Sequence, residues 1–476
     1  MKCIEISENG IYMVFEIGSG GKICLTRFSP LITAADLHGT DGGAPMLDDG
    51  GLRFKDFSDT NDQKGRIIGV TQTDETGAEV VTRFRFINGI SAVAVETKGD
   101  MRRLGLRLTF PAETEVVTMS GGRCGHVRCQ TGGYVLAWQS DNSAEFISEK
   151  DRGVLLLPQY GGECLISVSA DADGAFGELT RFRRAVRRKT RDSKMLGVFF
   201  DGSDCPPEYL PALIGKAAEV GCNYFRVDTA KVSAAVSAEI LGSGMTPAVR
   251  LNLSDCGSAE SVCEVIREYR AGHILLPEGA GLSLADEILA ARRDTVIGST
   301  AAGLGCAARG MLTAADGDSV RNALYFSAPE QVLTCCDITS DADREQLAAA
   351  LIRSMPTRMC LRGRLDLLDE DGLSLVKESV SVHKRIRGAV AAGLPIFPKA
   401  DGGEAYGIAS RSEIYMAVLG KIGGEVVVRT SGVTEGSSAE VLFPAVFDGT
   451  VGRVSDEVIS VKFGKSDSAV LLRFMR

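Results

Sequence analysis

The chain has 476 residues, a net charge of −9 and 44% hydrophobic residues. It is too long for one domain and apolar enough for ordinary globular cores, and its acidity argues against nucleic acid as a partner. No stretch approaches the roughly 18 consecutive apolar residues of a membrane span, and "MKCIEISENG" lacks the apolar run of a signal peptide, so a cytoplasmic protein without a membrane partner is expected.

Residues 1–190 read as β. Short alternating segments such as "GIYMVFEIG", "VVTRFRFI", "ISAVAVETKG" and "GGYVLAWQS" recur between Gly, Asp and Asn turns, which predicts an N-terminal β-sandwich. The basic segment Glu178–Ser193 then reads as a helix leading out of it.

From residue 191 to 398 the pattern changes to strands alternating with helices. "MLGVFF" is an apolar strand. Pro206-Pro207 opens a helix with Leu210, Leu213, Ile214 and Ala217 on one face, closed by Gly221. "CNYFRVD", "TPAVRLN", "HILLP", "TVIG", "GMLTAA", "QVLTCCDI" and "TRMCLRG" follow as strands, and only the fifth unit lacks a clear helix. Repeated strand–helix units imply parallel strands with right-handed crossovers, and eight of them imply a closed barrel. Residues 399–476 return to short strands and predict a small antiparallel β-sandwich. The expected fold class is therefore multidomain α/β plus all-β: a central (β/α)8 TIM-like barrel flanked by an N-terminal and a small C-terminal β-sandwich.

Barrels of this kind carry their chemistry at the C-terminal ends of the strands. Those ends present Asp201, Asp228, Asn252 with Asp255, Pro277 with Glu278, Asp316 with Asp318, Asp337, and Arg362 with Arg364. The 13 cysteines form no C-x-x-C pair and read as free thiols, and the four scattered histidines form no metal motif. No metal or cofactor is expected. A rim rich in carboxylates suits glycoside hydrolysis, which needs one carboxyl to protonate the leaving oxygen and a second as nucleophile or base. Asp also caps helices, and that competing role is open for each of these residues.

The stretches "ELTRFRRAVRRKTRDSKMLGVFFDG", "LPALIGKAAEVGCNYFRVD", "ILGSGMTPAVRLN", "SAPEQVLTC" and "GRLDLLDEDGLSLVKESVSVHKRIR" resemble the α-galactosidases of glycoside hydrolase family 36. The resemblance covers about Glu178 to Pro398. It implies that Asp228 matches the sugar-holding acid, with Thr229-Ala230-Lys231 in place of the residues that follow it in the family. Arg250 and Asn252 stand where the family carries a Trp and a Glu. The Ile-Lys-x-Asp-Tyr nucleophile strand falls on Ile274-Leu275-Leu276-Pro277-Glu278, which puts proline at the nucleophile and leaves Glu278 as a displaced candidate. The Asn-Cys-x-Ser-Gly-Gly stretch is eroded to "GSTAAGLGCAARG", and the acid/base falls on Asp316.

The resemblance thus implies Asp316 and Glu278 as catalytic candidates, with Asp228, Asp201, Asn252 and Arg250 as substrate-binding candidates. An α-galactoside-like carbohydrate is the implied partner, and assembly into a homo-oligomer is open. The expected function is an α-galactosidase-like homologue, impaired or inactive in catalysis, that binds carbohydrate or a partner at the barrel mouth. The alternatives are an active α-galactosidase-type enzyme using Glu278 and Asp316, and a barrel enzyme of other chemistry.

Overall fold

In the computed structural model the described residues are 2–30, 45–47, 51–99, 104–111, 114–130, 133–148, 152–159, 162–187, 196–300, 304–339, 341–420, 424–430, 438–455, 457–465 and 468–476, without the side chain of Asp318. They form two compact units, Met1–Val186 with Gly303–Gly305, and Arg187–Ala302 with Cys306–Arg476.

The first unit is built on an eight-stranded antiparallel sheet with the strand order Arg53–Asn61, Arg66–Thr73, Glu79–Phe86, Ala92–Lys98, Cys164–Ser169, Tyr134–Ser140, Cys124–Cys129 and Thr114–Met119. Period-2 patterning sorts its faces. In Glu79–Phe86, Val80, Thr82, Phe84 and Phe86 are buried, whereas Val81, Arg83 and Arg85 lie on the other face. Phe84 meets Ile68, Val70, Val93, Val95, Leu136 and Trp138 in one core. Two three-stranded sheets complete the unit.

Its helix spans Ala172–Val186, not Glu178–Ser193. Asp171 accepts the Gly174 N–H at 2.7 Å and starts the helix six residues earlier, so that Phe176, Leu179 and Phe182 share its buried side. Residues 188–193 of the expected helix lie outside the described residues.

The second unit contains a closed parallel barrel of β1 (Phe199–Asp201), β2 (Tyr224–Asp228), β3 (Thr246–Arg250), β4 (His273–Leu276), β5 (Val296–Ser299), β6 (Leu312–Asp316), β7 (Val332–Ile338) and β8 (Arg358–Gly363). Its helices are α1 (Leu210–Val220), α2 (Ala234–Gly242), α3 (Ala259–Glu268), α4 (Leu282–Ala291), α5 (Leu304–Ala308), α6 (Val320–Phe326), α7 (Arg344–Ser354) and α8 (Glu370–Ala392). The fifth unit does have a helix, α5, but it is only five residues long, too short for a visible apolar period. Residues 301–303 before it lie outside the described residues.

After α8 a five-stranded and a four-stranded antiparallel sheet pack around Met416, Val418, Val426, Val461 and Leu472. Four of their strands, Leu394–Ile396, Lys399–Asp401, Gly449–Ser455 and Val458–Phe463, were not foreseen. Gly449–Ser455 is an exposed edge strand with little apolar signal. Phe397 stacks on Tyr325 at 3.9 Å, and the Tyr406 hydroxyl donates to the Arg353 carbonyl at 3.0 Å, which ties these sheets to the barrel helices. Among the described residues no helix is long and apolar enough to cross a membrane, and all thirteen cysteines are free thiols.

Candidate functional site

Alternation along the barrel strands decides which side chains fill its interior. In the lower part Phe199, Tyr224, Ala248, Val296, Leu312 and Leu333 pack together. The Phe199 and Tyr224 rings stack at 4.4 Å, and His273 meets Phe199 edge-on at 5.0 Å. His273 is fully buried, and neither ring nitrogen has a hydrogen-bond partner among the described residues. Burial, reinforced by the Arg226 and Arg358 charges, pushes its pKa well below the ordinary value and keeps the ring neutral.

Above this layer the interior becomes charged. Asp201 and Arg226 are register partners on β1 and β2, and their side chains pair at 2.7 Å with Arg226 only 1% exposed. Burial alone would raise Asp201, but the Arg226 charge and hydrogen bonds from Arg226 and Ser203 outweigh it and hold the carboxyl low. Cys335 on β7 and Cys360 on β8 are also register partners, and the same Arg226 nitrogen lies 3.9 and 3.6 Å from their sulfurs. The hydrogen bond between the two thiols lowers Cys335 and raises Cys360.

Ligand atoms of Asp201, Cys335 and Cys360 lie within 4.8 Å of one another, a donor set that could hold a metal ion. The Arg226 guanidinium, however, contacts all three donors and already supplies the positive charge there. These residues as arranged favour the internal cation over a bound one.

At the mouth the candidate residues of β2 and β3 come together. Asp228 accepts from the Ala230 N–H at 2.9 Å, from Asn252 Nδ2 at 3.1 Å and from Arg250 Nε at 3.1 Å. These donors overcome the effect of burial and keep its pKa below the usual carboxylate value. Arg250 also pairs with Asp204 at 2.8 Å, and Asn252 donates to Thr229 Oγ1 at 2.8 Å. Thr229 in turn donates to Asp255 at 2.6 Å, and Lys231 donates to the carbonyls of Ser203 and Cys205 at 2.7 and 3.0 Å. The Thr229-Ala230-Lys231 segment is therefore a turn tied to the loops that follow β1 and β3.

The two catalytic candidates lie outside this cluster. Asp316 ends β6 with its side chain 71% exposed, 3.3 Å from Arg362, which also grips Asp337 at 2.5 and 2.8 Å. It lines a cleft with Gly317, Asp337 and Arg353, and Asp228 is not in that cleft. Asp316 occupies the N-cap position of the following 3-10 turn without a side-chain capping bond.

Glu278 sits beyond β4 in a turn closed by the Ala280 N–H donating to the Pro277 carbonyl at 3.2 Å, with Gly279 at φ +90°. It is exposed and makes no hydrogen bond or ion pair among the described residues. Register adds the reason for its direction. His273 faces the interior and Leu276 the helix-side core, and the strand ends there, so strand alternation does not carry Glu278 into the barrel.

Arg226 was missed by sequence reasoning, although it shares the inward row of "YFRVD" with Tyr224 and Asp228. The signal was available: an arginine at the i+2 spacing of a barrel strand must bring a counter-charge with it.

No protein-family model matches the chain, and none of the curated proteins does. Solved structures do. A variant of GH36 alpha-galactosidase AgaA from Geobacillus stearothermophilus, in complex with 1-deoxygalactonojirimycin, is similar with a TM-score of 0.77 at 10% identity, covering 100% of both chains. GH36 alpha-galactosidase AgaB from the same organism gives 0.76 at 10% identity, covering 100% of this chain and 98% of that one. The alpha-galactosidase from Lactobacillus brevis gives 0.69 at 10% identity, with 100% and 98% covered. The closed eight-stranded barrel with antiparallel β-sandwich modules before and after it in the chain is the fold of the GH36 alpha-galactosidases.

Proposed function

We propose that this chain is a non-hydrolytic relative of the α-galactosidases that binds carbohydrate at its barrel mouth. One observation carries the proposal: six of the carboxylates around the mouth are matched to guanidiniums. Asp201 faces Arg226, Asp204 and Asp228 face Arg250, Asp316 and Asp337 face Arg362, and Asp366 faces Arg364. Glycoside hydrolysis needs a carboxyl kept protonated near neutral pH to act as general acid. Asp201 and Asp228 are driven the opposite way. Glu278, the other catalytic candidate, lies past the end of β4 in an exposed turn without a partner among the described residues.

Carbohydrate binding is supported by the same polar cluster. Asp228 can accept from sugar hydroxyls, while the remaining N–H groups of Arg250 can donate to them. AgaA variants have been solved in complex with stachyose and with raffinose.

The test is a chromogenic α-galactoside incubated with the full chain at high protein concentration. No release above the protein-free blank is expected, and Asp316→Asn is expected to change nothing. Galactose or raffinose binding, measured by titration calorimetry, is expected to weaken at least tenfold in Asp228→Ala. Turnover abolished by Glu278→Gln would overturn the proposal in favour of an active glycosidase.

A further inference from the structure

The unit Met1–Val186 carries a cavity of its own, about 410 Å³, on the non-core face of its eight-stranded sheet. That volume lies within the ~300–1,000 Å³ typical of small-molecule sites. Strand register builds it. Ser58, Gly69, Arg83 and Glu96 are successive cross-strand partners and form one row across four strands. Arg85 lies two residues along from Arg83, and Glu163 immediately precedes the strand that pairs with Ala92–Lys98. Small apolar side chains, Val81 and Ala94, lie between these charges. A Cβ at Gly69 would lie 2.4 Å from Ser58 Oγ, so glycine leaves the floor open.

The charges in the cavity are unevenly used. Glu96 pairs with Lys98 at 3.1 Å and Arg85 with Asp62 at 2.6 Å. Among the described residues Arg83 and Glu163 make no hydrogen bond or ion pair. The pocket therefore offers one donor fork and one carboxylate, both unengaged, above an apolar floor.

Charge balance narrows the ligand. Two arginines oppose a cation and two glutamates oppose an anion at this site. A neutral polyol satisfies both signs, since each hydroxyl can donate to a carboxylate and accept from a guanidinium through charge-assisted bonds. The C–H face of a sugar ring suits the floor of Val81 and Ala94.

We propose that this pocket is a second, non-catalytic saccharide-binding site, in which Arg83 and Glu163 clamp the hydroxyls of one pyranose unit. The site uses no residue of the barrel and stands whether or not the mouth binds sugar.

Saturation-transfer NMR and calorimetry on the full chain, with glucose, galactose and raffinose as probes, test it. In Asp228→Ala, where the mouth is weakened, residual binding of at least one probe is expected, and adding Arg83→Ala or Glu163→Gln is expected to weaken that residual binding at least tenfold, with unchanged thermal midpoints. Arg83→Lys keeps the charge but loses the planar fork, and is expected to weaken binding severalfold. Binding that disappears in Asp228→Ala and is unaltered in Arg83→Ala would assign all affinity to the mouth and overturn the second site. Absence of binding by all three probes would overturn it as well.

Discussion

Strands β2 and β4 belong to one barrel, and each is followed by a carboxylate, yet the two ends differ in every physical respect. Asp228 at the end of β2 is 7% exposed, receives three hydrogen bonds and is held ionised. Glu278 beyond β4 follows a fully apolar strand, stands in a turn and contacts no partner among the described residues. A strand end supplies only a location. The donors converging on the carboxylate decide its charge and its direction, and those come from other strands. β3 sends Arg250, with Asn252 just beyond it, toward Asp228, whereas proline and glycine turn the chain away after β4.

The sharpest way to break this contrast is to unpair the charged side. Asp201→Ala leaves Arg226 buried without its carboxylate and is expected to cost about 3–5 kcal/mol in chemical denaturation. The double variant Asp201→Leu with Arg226→Met should recover most of that loss, because replacing both partners removes the stranded charge. A double variant as unstable as the single one would mean that packing, not charge, dominates there.

The pH dependence separates the two layers of the barrel. His273 and His383 are both fully buried with depressed pKa values, the latter down to about 4, through burial first and nearby arginines second. The unfolded chain takes up protons on them below about pH 6.5, while the folded chain does not. Stability should therefore fall from about pH 6.5 downward, by up to about 1.4 kcal/mol per pH unit for each histidine. The carboxylates follow later. Asp201 and Asp228 have depressed pKa values, so their contribution is present above about pH 4 and is lost as pH falls further. Denaturant midpoints measured from pH 7 to 4 check the first effect, and a flat profile between pH 6.5 and 5 would refute it.

At the fine end, Asp228→Asn removes a charge that meets Arg250, and a loss of about 1.5–3 kcal/mol is expected. Glu278→Gln should stay within about 0.5 kcal/mol of the parent, as for an exposed side chain without partners. Equal effects at the two positions would erase the distinction between β2 and β4.

The repeating strand–helix units were legible because the signals are local. "LPALIGKAAEV" shows its buried face at helical spacing and its stop at Gly221, which indeed adopts φ +91°. The start at Ala172 was not legible, because a single cap at Asp171 outweighed the basic run that drew attention to Glu178–Ser193. Gly449–Ser455 was hidden for a related reason: an exposed edge strand needs few apolar residues.

The candidate site divides in the same way. Asp201, Asp228 and Asn252 were legible as strand-end residues; Asp228 and Asn252 lie in one cluster with Arg250, while Asp201 pairs separately with Arg226. The mutual neutralisation of aspartates and arginines was not, since Asp201–Arg226, Asp228–Arg250 and Asp316–Arg362 each join residues 22 or more positions apart. By itself the sequence determined the order of strands and helices, the barrel they imply and the displacement of Glu278 past Pro277, because propensity, period and backbone chemistry act over a few residues. Only the tertiary structure decided that Arg226 would turn inward onto Asp201 and two thiols, and that Arg250 and Arg362 would take up the rim carboxylates. Electrostatic energy depends on distance through space, and closure of the barrel is what sets those distances.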